Sequence, residues 1–295
     1  PRAGAGDTIV LRKGDWPDVP LVVAKGGAKG RPLVIRADVP GETVFGGRSF
    51  VKIDAPHVVV DGLVFHRGAI GEGAVVTFSS HHGELRNTAI VDYNPPAAET
   101  QYYWVFFDGE HNTVDHCYFK GKNNRGPVVG NAREGSRHNA VTGCHFKNIP
   151  YRAVNGREII RVWGYGQNDE LGQDGAFFTI EGNLFDHADG EGTETVSLKS
   201  NRNVVRGNTL VATRGGINIR RGSFNTVTGN VLLGEGVERA HGLRVAGRQN
   251  VVTDNFVSGC DYGIGISAGE FVKKAITPAY TPHAAEEGSS KARTA

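Results

Sequence analysis

The chain has 295 residues, 39% of them hydrophobic and 22% charged, with 42 glycines and a formal net charge of +2 at pH 7. That composition belongs to a globular protein with a large core, and the near-neutral balance argues against a nucleic-acid partner. No stretch approaches the ~20 apolar residues of a membrane-spanning helix, and Pro1-Arg2-Ala3-Gly4 does not read as a signal peptide. Abundant glycine, with asparagine recurring near strand ends, favours a β-protein with many tight turns. Cys117, Cys144 and Cys260 are odd in number, so they form no disulfide framework for the whole chain, and their positions read as core.

In chain order, Asp7-Thr8-Ile9-Val10-Leu11 and Pro32-Leu33-Val34-Ile35-Arg36 read as strands of the first turns, with loops such as 25–30 between them. A pattern then recurs: an apolar residue, two more residues, an asparagine or cysteine, one residue, and a large apolar residue. Weak copies lie at 60–65 and 85–90. Clear ones are Val114-Asp115-His116-Cys117-Tyr118-Phe119, Val141-Thr142-Gly143-Cys144-His145-Phe146, Ile180-Glu181-Gly182-Asn183-Leu184-Phe185, Val205-Arg206-Gly207-Asn208-Thr209-Leu210, Val227-Thr228-Gly229-Asn230-Val231-Leu232 and Val252-Thr253-Asp254-Asn255-Phe256-Val257. The fourth position falls at 63, 88, 117, 144, 183, 208, 230 and 255, in steps of 25, 29, 27, 39, 25, 22 and 25. A further strand lies between copies, as at 74–78, 102–107, 158–163, 194–200, 217–220, 243–245 and 264–266. Turns of about 25 residues built from short strands predict an all-β, right-handed, single-stranded parallel β-helix over 1–269. Asn183, Asn208, Asn230 and Asn255 should then form a ladder at the bends, with Cys117 and Cys144 in the same column. The 39-residue step holds an insertion at 164–175, a loop off the coil that could wall a groove, as could 94–101. Residues 270–295 lose the period and read as a tail or partial cap, poorly ordered toward its end.

Two strand segments carry the candidate chemistry. Gly190-Glu191-Gly192-Thr193-Glu194-Thr195-Val196-Ser197-Leu198-Lys199-Ser200 and Gly216-Ile217-Asn218-Ile219-Arg220-Arg221-Gly222 alternate apolar and polar residues. Lys199 and Arg220 are therefore expected to leave their strands away from the apolar side, toward solvent. Equivalent residues of neighbouring turns in a parallel coil lie ~4.8 Å apart. Arg220 follows Lys199 by 21 residues and Arg244 follows Arg220 by 24, with Arg221 alongside and Arg161 one turn earlier. The spacing predicts a column of cations on one outward face. Such a column repels itself, favours a neutral lysine and calls for an anionic partner.

Here the sequence resembles polysaccharide lyase family six, the alginate lyases and chondroitinase B. The matching motifs are Asn155-Gly156-Arg157-Glu158-Ile159-Ile160-Arg161-Val162, Asp189-Gly190-Glu191 followed by Lys199-Ser200, Asn208-Thr209-Leu210, Arg220-Arg221-Gly222 and Gly242-Leu243-Arg244-Val245-Ala246-Gly247, in order, over nearly everything up to about residue 269. The resemblance implies a lyase that cleaves a 4-linked uronic-acid polymer, most readily alginate, by β-elimination, and dermatan or chondroitin as the other substrate of the family. It implies Lys199 as general base, Arg220 as the residue that protonates or stabilises the leaving oxygen, and Arg161, Arg221 and Arg244 as contacts for substrate carboxylates. An anionic polysaccharide as partner implies a secreted or periplasmic protein.

The resemblance also implies a calcium site made by Asn155 and two glutamates. Here those are Glu191 and Glu194, separated by two residues where the family has one, so a regular strand sends them to opposite faces unless a bulge at Gly192 or Thr193 intervenes. Arg221, where the family usually has histidine, adds positive charge beside that place. These departures lean toward a reaction that requires no cofactor, with Ca2+ as the alternative. A glycoside hydrolase would need two facing carboxylates, for which Asp186, Asp189 and Glu191 are the nearby acids. An epimerase would carry an Asp-Pro-His-Asp signature, which is missing, and a plain carbohydrate-binding coil gives no reason for a lysine among arginines.

Overall fold

The computed structural model describes residues 3–132, 134–164, 173–267 and 291–292. Among these, thirty-one short strands build three sheets in which every neighbour is parallel except the last pair. Each turn contributes one strand to each sheet. Turn 1 carries Thr8–Leu11, Gly14–Pro17 and Pro20–Val23; turn 10 carries Val251–Thr253, Phe256–Ser258 and Tyr262–Ser267. The chain is thus the parallel β-solenoid expected from the repeat. Most of the insertion at 164–175 and most of the tail at 270–295 lie outside the described residues; Lys291–Ala292 runs antiparallel to Tyr262–Ser267.

Repetition turns each pattern position into a column inside the coil. The large apolar residue that ends the pattern gives Phe119, Phe146 and Phe185, all fully buried and stacked at centroid separations of 5.0 and 4.8 Å. The fourth position gives the expected ladder. The Asn183, Asn208 and Asn230 amide nitrogens each donate at 3.0 Å to the side-chain oxygen one turn on, ending at Asn255, and Cys144 N donates to Asn183 Oδ1. Cys117 and Cys144 extend this buried column, whereas Cys260 is only half-buried at the last turn, a correction to its reading as core.

A second ladder, unforeseen from the sequence, stands at another corner. Asn112 N donates to Asn139 Oδ1, and Asn203 and Asn225 continue the series to Asn250. The residue before each inward asparagine is left-handed: His111, His138, Arg202, Phe224 and Gln249 share φ of 53–60°, and His57, His82 and Phe177 hold the same place on other turns. A left-handed residue reverses the chain in one step, and histidine is among the non-glycine residues that tolerate it. Because the corner repeats, these side chains stack outside the coil, with His82, His111, His138 and Phe177 rings 4.6–5.1 Å apart.

Candidate active site

The site lies on the outward face of the third sheet, where turns 6, 7 and 8 contribute Ile160–Trp163, Glu194–Lys199 and Gly216–Arg221. Its outer wall is the segment before the first of these strands. Arg157 is almost fully buried, and its guanidinium donates to the main-chain oxygens of Lys122, Asn124, Pro150 and Gly190. Burial first, then the nearby Arg152 charge, lowers its pKa to about 10. Gly190 must be glycine: its φ is +57° and a Cβ would sit 2.3 Å from the Arg157 oxygen. This packing presents the amides of Gly156 and Arg157 to Glu191 Oε2 at 2.8 and 3.2 Å.

Glu194 and Lys199 are five apart, so a regular strand would place them on opposite faces. The pairing with Gly216–Arg221 slips between Glu194 and Val196, which leaves Thr195 as the extra residue and turns Glu194 to the side of Ser197 and Lys199. Gly192 and Thr193, where a bulge would have aligned the two glutamates on a regular strand, lie in the turn before this strand, and the bulge falls at Thr195. A second slip between Leu198 and Lys199 pairs Lys199 with Arg221 and leaves Arg220 as the extra residue.

Charges interleave on this face. Lys199 Nζ lies 2.7 Å from Glu158 Oε1, 3.9 Å from Glu194 Oε2 and 4.8 Å from the Trp163 ring centre. Arg220 Nη1 donates to Glu194 Oε1 at 2.9 Å, and Ser197 Oγ donates to its other oxygen. Arg161 packs between the Tyr103 and Trp163 rings, donates to the Tyr103 hydroxyl and lies 3.5 Å from Glu158 Oε2. Carboxylate oxygens of Glu158, Glu191 and Glu194 lie within 4.8 Å of one another. Burial first, then the Glu158 charge, raises the Glu191 pKa above the usual carboxylate range.

Asn155, Gly156, Glu158, Arg161, Trp163, Lys199, Arg220 and Arg221 line one cleft of about 200 Å³. A model of the chondroitinase B family matches residues 2–262. The chain belongs to the chondroitinase B family. Among solved structures, a PL6 family polysaccharide lyase, Pedsa3628 from Pseudopedobacter saltans, is 48% identical with a TM-score of 0.87, covering 89% of this chain and 62% of its own. The PL6 family alginate lyase AlyGC is 28% identical with a TM-score of 0.84, covering 90% and 38%. A mannuronic acid specific family 6 lyase from human gut microbiota is 25% identical with a TM-score of 0.83, covering 90% and 62%. The chain thus spans at most about three fifths of the length of these relatives. No curated protein matches it.

Within this chondroitinase B family chain, the cleft gathers five of the residues singled out from sequence: Asn155, Arg161, Lys199, Arg220 and Arg221. Arg244 does not line it; the strand His241–Ala246 pairs Arg244 with Asn218, two strands beyond Lys199. Lys199 does not face open solvent, being 7% exposed beneath Trp163 and the carboxylates. The expected row of bare cations is instead a lattice of alternating signs, which removes most of its self-repulsion. Glu158 is the residue the sequence reading passed over, although it stands inside the Asn155 motif.

Proposed function

We propose that this chain cleaves a 4-linked uronic-acid polymer, alginate first, by β-elimination, leaving a 4,5-unsaturated sugar at the new non-reducing end. The observation that carries this reading is the convergence of Lys199, Arg220 and Glu158 on one cleft, with the Glu191 and Glu194 carboxylates clustered against Glu158. In that reaction Lys199, as the neutral amine, takes the C5 proton, which requires it to leave its 2.7 Å contact with Glu158. Negative charge then develops on the substrate carboxylate, and Arg161 and Arg221 face it. The C4–O bond breaks as the C4=C5 bond forms, with Arg220 beside the leaving oxygen as a fixed charge, and that oxygen leaves as an alcohol after taking a proton from solvent water. Such a polymer lies outside the cytoplasm, which supports secretion or periplasmic placement. Incubation with alginate and, separately, dermatan sulfate tests the substrate. Ultraviolet absorbance from a conjugated double bond is expected with alginate; absorbance with dermatan sulfate alone would transfer the reading to that polymer, and its absence with both would overturn elimination.

A hydrolase reading loses support from the acids it would need. Asp186 lies on the second sheet, bound to Lys147 at 2.8 Å, and Asp189 accepts the Arg214 amide at a turn.

Calcium takes six to eight oxygen ligands. Glu191, in the turn before the strand, and Glu194, at its first residue, nonetheless converge, joined by Glu158 and with Asn155 on the cleft. These residues fit the ion, and Glu158, Glu191, Glu194 and the Asn155 amide oxygen would hold it. Bound there, calcium would supply positive charge toward the substrate carboxylate. Dialysis against a chelator is expected to abolish turnover and added Ca2+ alone to restore it; undiminished turnover after chelation would assign the neutralisation to Arg161, Arg220 and Arg221.

The arginines separate by position. Arg161→Ala removes a charge-assisted contact worth roughly 1.5–3 kcal/mol, so kcat/KM should fall about 10- to 100-fold. Arg244→Ala, outside the cleft, should cost less than Arg161→Ala; an equal loss would extend the substrate track to that turn.

A further inference from the structure

The reaction makes no use of the histidines at the corner where turns 3 and 4 begin. His57 and His82 occupy successive rungs of the left-handed column, with φ of 54° and 55°. His81 stands beside His82, where the preceding turn has Pro56 and the following one Glu110. Three imidazole rings therefore converge at this corner, their centroids 4.8–5.9 Å apart. One nitrogen from each lies within 4.8 Å of the other two, and His81 Nδ1 and His82 Nδ1 are 2.8 Å apart. The main chain fixes the arrangement, because the His57 amide donates to the His81 oxygen at 3.2 Å and the His82 amide to the Glu110 oxygen at 3.3 Å.

We propose that His57, His81 and His82 form a binding site for a borderline divalent transition-metal ion, with Zn2+ as the ion to test. Imidazole nitrogen suits zinc, copper and nickel, whereas calcium demands hard oxygens, so this corner and the carboxylate cluster select different ions. Three protein ligands leave the fourth position of a tetrahedral site to water. Zn–N bonds of ~2.0–2.1 Å place ligand nitrogens ~3.4 Å apart, so the 2.8 Å His81–His82 pair must open and any longer side of the triangle, at most 4.8 Å, must contract. His81 and His82 are exposed and His57 is half-buried, which lets side-chain rotation achieve this without moving the coil. Because His57 belongs to one corner and His81 and His82 to the next, the ion ties two turns together, at least two turns away from the cleft.

The test uses the whole 295-residue chain without a polyhistidine tag, held in excess Ca2+ so that the carboxylates are occupied, and titrated calorimetrically with ZnCl2. One equivalent of Zn2+ should bind. His81→Gln, and His57→Asn, which tolerates the left-handed backbone, should each weaken binding at least about 100-fold, because each removes one of three ligands. His138→Gln, further along the same stack, should bind as the parent does. Zn2+ should raise the unfolding temperature of the parent and leave that of His81→Gln unmoved. Should His57→Asn fail to fold, His81→Gln decides, since its ring is exposed and lies outside the core. Absence of Zn2+ binding by the parent chain, or a His81→Gln titration equal to it, would overturn the site.

Discussion

Lys199→Ala is expected to lower the rate of elimination by at least the ~10²–10⁴-fold contributed by a general base, read as loss of unsaturated product at saturating alginate. The same change leaves Glu158 and Glu194, both essentially inaccessible, short of a cation, so the variant should also unfold at a lower temperature while remaining folded at the assay temperature. The two effects separate by measurement: circular dichroism at the assay temperature reports the fold, and turnover reports the chemistry. A folded Lys199→Ala retaining a tenth or more of the parent rate would remove this lysine from the role of base.

Arg220→Ala should reduce turnover by about 10²–10³-fold, the scale of removing one fixed donor from a developing oxyanion. The side chain is 30% exposed and bound to Glu194 at 2.9 Å, so truncation also frees that carboxylate to pull on Lys199. Arg220→Lys keeps the charge and loses the planar fork. Recovery of much of the rate in Arg220→Lys would identify point charge as the function, whereas equal loss in both variants would identify geometry. Full activity in Arg220→Ala would leave the leaving oxygen to Arg221, the neighbour that takes the in-register position opposite Lys199.

The coil was legible because its signal is periodic. An inward asparagine every 22 to 25 residues has no other economical explanation, and Asn183 through Asn255 stand as that period requires. The second ladder carried the same signal. Asn112, Asn139, Asn203, Asn225 and Asn250 each directly precede a strand, but the apolar pattern used to find the repeat is anchored at the other corner. The neighbourhood of Lys199, Arg161 and Arg221 followed from spacing alone. Burial did not, because alternation tells which face a side chain leaves from and says nothing of what covers it there. Lys199 is covered by Trp163 and Glu158, from the preceding turn. Nor was the bulge at Thr195 legible in position: a bulge is a property of two paired strands, and the slip depends on Gly216 as much as on Glu194.

The two compensating slips around Val196–Leu198 bear on how such a site could arise and change. Each adds one residue to one strand, and between them Val196, Ser197 and Leu198 pair in register with Ile217, Asn218 and Ile219. The offsets cancel within half a strand, so neither propagates into the corners or the asparagine columns. With the exception of Tyr103, the cleft is drawn from residues 155–221 of three consecutive turns. In evolutionary terms it is a cassette. Turns can be gained or lost on either side, lengthening or shortening the surface a polymer lies on, while the reacting groups keep their spacing; and insertions within the cassette are tolerated where a neighbouring strand can absorb them by a slip of its own.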